Sequence, residues 1–186
     1  MAGWLNRGVK RRFTPKDEIQ YYIPQEIIDF TVKILLEYGN KRPPSEGVVY
    51  WAGRQSKNEW EICSAIAPAV EASKYGFETG YNGNARFVSF ICDNDLQYVS
   101  QVHSHPSTWV DHSPIDDKET AFRSEGLLSI VVPTFGRHGI FPLKQCGVHI
   151  HTKGAFKRLT NKYVGGHFHV GQPQQSIIIL KDFRHE

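Results

Sequence analysis

The stretch QVHSHPSTWVDHSPIDD (101–117) holds three histidines, three aspartates and two prolines in seventeen positions. Its first half continues an extended run, YVSQVHSH (98–105). On a strand, His103 and His105 point to one face, roughly 6.6 Å apart along the chain. Its second half predicts the start of a helix. Ser113 suits the N-cap, Pro114 the first helical position, and Asp116 a carboxylate near the positive end. PIDDKETAFRSEG then reads as a helix ending before Gly126. By these local signals the stretch is either a cation site or a polar loop that runs into a capped helix.

Upstream, IPQEIIDFTVKILLEYG (23–39) predicts a helix, with Ile27, Ile28, Thr31, Leu35 and Tyr38 on one face. Pro24 suits its first turn and Gly39 its end, and Pro43 and Pro44 then break the chain. EGVVYWAGR (46–54) and EWEICSAIAP (59–68) predict strands joined by a hairpin turn at QSKN. SKYGFETGYNGNA (73–85) reads as a loop and RFVSFICD (86–93) as a strand. Further strands are predicted at 126–136, 145–152 and 176–183, with 169–175 as a connector. A mostly β centre flanked by helices gives an α+β class, a mixed sheet with flanking helices.

The 186 residues suffice for one domain with a proper core. Forty per cent hydrophobic and 22% charged residues are ordinary for a soluble protein, and a net charge of +3 says little about partners. Part of the positive excess lies in RGVKRRFTPK (7–16), which reads as a solvated arm, with a nucleic-acid or partner contact as the alternative. Three cysteines, with no CxxC pair, argue against a disulfide scaffold and for a reducing compartment. No apolar run approaches a membrane span, and no signal peptide is visible. A cytoplasmic location is therefore expected, without membrane or nucleic-acid partners.

Two histidines with one carboxylate and an open fourth position make a catalytic zinc ligand set, whereas structural zinc sites are closed by four ligands. Each half of the stretch has a plain explanation alone, since S-x-x-D usually caps a helix and His-x-His usually packs or faces solvent. The joint spacing is what carries specificity, and a cap would also hold Asp116 rigid.

His103-x-His105-Pro106, followed by Ser113-x2-Asp116, resembles the JAMM motif of the JAB/MPN metalloproteases. The family's upstream glutamate is matched by Glu46 in SEGVVYWAGR (45–54), and its opening helix by 23–39. The resemblance covers roughly residues 20–160. It implies the MPN/JAB fold, a cytidine-deaminase-like three-layer architecture. It divides the chain into a basic arm (1–20), a metalloprotease domain (21–170) and a C-terminal strand or tail (171–186). It implies one catalytic Zn2+ held by His103, His105 and Asp116, with a water in the fourth position. Glu46 would be the general base and Ser113 the oxyanion donor. The activity implied is a deubiquitinase-like isopeptidase acting after the C-terminal tail of a ubiquitin-like protein. Standalone bacterial members with this compact form accompany E1-like and E2-like enzymes, some in antiphage operons.

Two departures touch the groove. The family commonly has a helix before the His-x-His strand, for which 86–101 leaves little room, and Ser100-Gln101-Val102 replaces a small, glycine-containing approach. Other readings are a hydrolase releasing an amino acid from a sulfur-carrier protein, a RadC-like DNA-associated protein, and an inactive scaffold. Glu59 and Glu61 are rivals to Glu46. Trp109 is a candidate for substrate contact, while Asp111 and His112 are read as shaping the loop. His149/His151 and His167/His169 repeat the i, i+2 spacing and are read as strand-surface residues, with a second metal site as the alternative.

Overall fold

A computed structural model describes residues 12–73, 76–78, 81–119, 122–172 and 177–185. The elements are β1 (Gln20–Ile23), α1 (Gln25–Gly39), β2 (Val48–Ser56), β3 (Glu59–Ala67), β4 (Glu71–Ser73), β5 (Gly76–Glu78) and α2 (Tyr81–Asp93). They continue with β6 (Gln97–Ser104), α3 (Pro114–Glu119), β7 (Leu128–Val132), β8 (Gly147–Thr152), β9 (Ala155–Arg158), α4 (Asn161–His167), β10 (Phe168–Val170) and β11 (Ile179–Asp182). One curled mixed sheet runs β10-β1-β3-β2-β6-β7-β8-β9, and β11 pairs in parallel with the second half of β3. The class is α+β, as the residue pattern predicts.

β2 explains the layering. Its VVYWA run is buried throughout because both faces of the strand are covered. Val49 and Trp51 join the cluster containing Ile27, Ile34, Leu35 and Tyr38 of α1. Trp51 Nε1–H donates to Thr31 Oγ1 at 2.9 Å. Val48, Tyr50 and Ala52 face the other way, with Phe87 of α2 and Phe183. Gly53 marks a bulge at which a Cβ would stand 2.2 Å from the Glu61 carbonyl oxygen.

Several elements differ from the sequence reading. Residues 86–93 are helical, and the helix begins within the expected loop, at Tyr81. Phe87, Phe90 and Ile91, three and four apart, form the face that packs on Tyr50, Tyr98 and Phe183. Asn82-Gly83-Asn84 looks like a turn, but Gly83 admits the Ala69 carbonyl, which a Cβ would meet at 2.7 Å. A helix of thirteen residues therefore precedes the His-x-His strand, where 86–101 alone leaves little room for one. α3 extends over Pro114–Glu119, residues 120–121 lie outside the described set, and Phe122–Ser124 are not helical.

The strand read over 126–136 ends at Val132, and a tight turn follows at Pro133–Gly136 with Thr134 and Phe135 in the left-handed region. Phe168–Val170 extends a strand into the predicted connector, where it pairs with β1. Of the basic arm, residues 1–11 lie outside the described residues. Phe13 bridges to Leu159, and its N–H donates to the Arg158 carbonyl. Among the described residues, no helix is long and apolar enough to cross a membrane.

Candidate metal centre

β6 is a central strand, paired with β2 on one side and β7 on the other. His103 is fully buried near its end, opposite Val48 and Val131. His105 lies just past the strand but keeps its direction, because its N–H donates to Val132 O and its carbonyl accepts Phe135 N–H. The two rings lie 5.2 Å apart between centroids. The i, i+2 geometry expected of this segment is therefore present.

Asp116 arrives from α3. The Asp116 N–H donates to Ser113 Oγ at 3.1 Å, and the Ser113 N–H donates back to Asp116 Oδ2. This reciprocal pair is a capping box, with aspartate as the returning acid. It aims the carboxylate at the histidines. His103 Nε2 is 3.6 Å from Asp116 Oδ1, and His105 Nε2 is 3.4 Å from Asp116 Oδ2. Cap and cluster are one structure. His103, His105 and Asp116 are the group among the described residues whose donor atoms could share a metal ion.

Trp109 holds the second histidine. Its carbonyl accepts from His105 Nδ1 at 2.9 Å, and its ring stacks on the imidazole at 5.4 Å. With Nδ1 so engaged, Nε2 faces Asp116, the arrangement expected around ligating histidines. Trp109 thus serves the cluster directly. Burial holds the His103 pKa down at about 3, against the opposing pull of Asp116, so it stays neutral. His105 is also lowered by burial, but its bond to Asp116 and the charges of Asp116 and Glu46 raise it overall. Burial favours protonation of Asp116, yet both histidines and the Ser113 N–H bring its pKa below the ordinary carboxylate range.

Glu46 reaches this end of the sheet by register. The Ser104 N–H donates to the Gly47 carbonyl, and the Gly47 N–H donates to Ser104 Oγ, which puts Glu46 across from His105. Gly47 lies under the Tyr38 ring of α1, where a Cβ would be 2.6 Å from a ring carbon. Glu59 and Glu61 lie at the other end of the same hairpin, paired with Ser56 and Arg54. About seven residues of strand, roughly 23 Å, separate them from the histidine end, so they do not join the cluster.

The other two histidine pairs are not simple surface residues. His149 is 2% and His151 7% exposed. The His112 ring packs on His149 and the Phe156 ring on His151, cover that period-2 reasoning about an outer strand misses. His167 stacks on Tyr163, and His169 bonds Gln20 and stacks on Tyr22. The two pairs have separate partners, and among the described residues their ring nitrogens do not gather into a metal-holding group. Asp111 pairs with Arg158 at 2.6 Å, and His112 bonds Asp117 and Ser129. The loop-shaping role expected of both has concrete partners. Sequence alone offers no signal for Ser129, nor for the packing of His149 on His112, since neither contact is local.

His149 gives the fold a pH signature. Its pKa is held down at about 2 by burial first, then by His112, Arg158 and His103. Between about pH 6.5 and that value the unfolded chain binds a proton that the folded chain does not, so stability falls as pH falls. Urea unfolding at pH 6.5 and 5.0 should show a loss to which His149 contributes on the order of 2 kcal/mol, and His149→Gln should show a loss smaller by that amount, the part due to buried His103 remaining. Equal losses in both proteins would contradict this assignment.

The fold and cluster together define an α+β protein with a buried two-histidine, one-carboxylate centre at a strand end. No protein-family model and no curated protein sequence matches the chain. Among solved structures it is similar to the solution structure of protein DSY2949 from Desulfitobacterium hafniense. The TM-score is 0.52 at 12% identity, covering 90% of this chain and 97% of that one. The likeness is one of overall fold.

Proposed function

We propose that this chain is a JAMM-type zinc metalloprotease of the MPN/JAB fold, an isopeptidase acting after the C-terminal tail of a ubiquitin-like protein. The carrying observation is the convergence of His103 Nε2, His105 Nε2 and the Asp116 carboxylate. The donor set suits zinc, and a third protein ligand rather than a fourth suits a catalytic site. When bound, zinc supplies Lewis acidity and lowers the pKa of a water toward neutrality.

The chain's own residues supply the rest. Glu46, opposite His105, takes the proton of the attacking water and delivers it to the leaving amine. The Ser113 hydroxyl oxygen accepts from the Asp116 N–H, so its own proton is left to donate to the developing oxyanion. The bacterial setting, with E1-like and E2-like partners and an antiphage role, belongs to the same proposal and rests on the motif's resemblance.

The test is incubation of zinc-loaded protein with a ubiquitin-like protein fused through its tail either to a lysine side chain or to a C-terminal extension. Cleavage after the tail, stopped by chelation and restored by zinc, is expected for at least one fusion. Absence of cleavage of both, or cleavage indifferent to chelation, would contradict the activity.

A further inference from the structure

We propose that His112 is a positioning residue for the metal-ligand Asp116, a bracket that ties the first turn of α3 to β7. The inference rests on the metal-centre reading above and adds a part that the JAMM spacing does not contain. His112 is 3% exposed, and both of its ring nitrogens are engaged. Nδ1 is 2.9 Å from Asp117 Oδ1, and Nε2 is 2.8 Å from Ser129 Oγ. With a carboxylate accepting at Nδ1, the ring carries a proton there, and its Nε2 meets the Ser129 hydroxyl.

The two ends of the bracket differ in rigidity. Ser129 is fully buried on β7, paired with Gln101 of β6 and His149 of β8. Asp117 lies on a six-residue helix, too short to hold its own place in water. The position of Asp116, one residue before Asp117, therefore depends on tertiary ties. The His112 ring cannot swing away, since it is packed by His149 at 4.1 Å, Phe156 at 4.8 Å and His103 at 5.9 Å between centroids.

The spacer before it is pressed onto the same strands. The Val110 carbonyl occupies the space that a Cβ on Gly147 would need, 1.7 Å away, and Asp111 is held by Arg158. The chain between His105 and Asp116 is thus clamped on β7, β8 and the end of β9. The capping box fixes how Asp116 points, and the bracket fixes where the turn that carries it stands.

Asp117 gives the cleanest test, because its side chain is 43% exposed and its removal leaves no cavity. Zinc affinity is read by chelator competition on the full chain, and exchange of the Asp116 and Asp117 amides is followed by NMR in the metal-free protein. Asp117→Ala and His112→Ala should each weaken zinc binding by about 10-fold or more, the scale of outer-shell partners. Both should speed exchange of the two amides. Asp117→Asn keeps an oxygen to accept from His112 Nδ1–H, and should stay near wild type in both readouts.

Unchanged affinity and unchanged exchange in both alanine variants would overturn the bracket. So would an asparagine variant as weak as the alanine one, because Asp117 would then act through its charge. A wild-type protein that binds no zinc would sink the metal reading instead. Amide exchange would still decide whether His112 holds the turn.

Discussion

Glu46→Gln is expected to keep one zinc per chain and to lose roughly 10³-fold in turnover, within the range of about 10²–10⁴ typical of a positioned general base. Glu46 is not among the three converging donors, so its removal should spare the metal. The glutamine is nearly isosteric and leaves the backbone bonds of Gly47 to Ser104 intact, so the sheet register that holds position 46 is kept. What is lost is the carboxylate that acts on His105 from across the strand pair. Zinc stoichiometry and cleavage of a tail fusion, measured on the same preparation, check both halves. A variant that cleaves as fast as wild type would remove Glu46 from the mechanism. One that loses zinc would make it a ligand.

Asp116→Asn and Asp116→Ala should both lose zinc far beyond the roughly 10–100-fold expected of an outer-shell change, since a ligand itself is gone. They should differ in stability. Asparagine retains an oxygen for the Ser113 N–H, so the capping box survives in neutral form. Alanine removes that acceptor and should cost about 1 kcal/mol more. Zinc affinity by competition and urea unfolding of the metal-free variants separate the two roles. Equal unfolding free energies would mean that the cap contributes little. Retained zinc in the asparagine variant would mean that Asp116 is not a ligand.

The parts of the centre that are close in sequence were legible, because each obeys a local rule. His103 and His105 follow the period of a strand, and Ser113 and Asp116 follow the geometry of a helix start. Glu46 was legible through the hairpin pattern and the resemblance, and the β2–β6 register then puts it opposite His105. His112, Ser129 and His149 were not legible as a unit, because three separate elements build it.

The helix at Tyr81–Asp93 shows the same limit of local signals. Asn82-Gly83-Asn84 carries turn chemistry, but Gly83 serves the approach of the Ala69 carbonyl. Phe87, Phe90 and Ile91 fit a helical face as well as a short apolar run, an ambiguity that periodicity alone does not resolve. Gly39 is a similar case. It suits a helix end by type, yet in the fold it makes room for Phe135, whose Cβ would stand 2.4 Å from a Cβ at that position.

Zinc content is the most direct measure of the central claim, that His103, His105 and Asp116 hold a catalytic metal. Purified wild-type protein, supplied with zinc and dialysed, should retain one zinc per chain. The double variant His103→Ala/His105→Ala, shown to be folded, should retain none. A wild-type chain without zinc, or a double variant that keeps its full equivalent, would contradict the account.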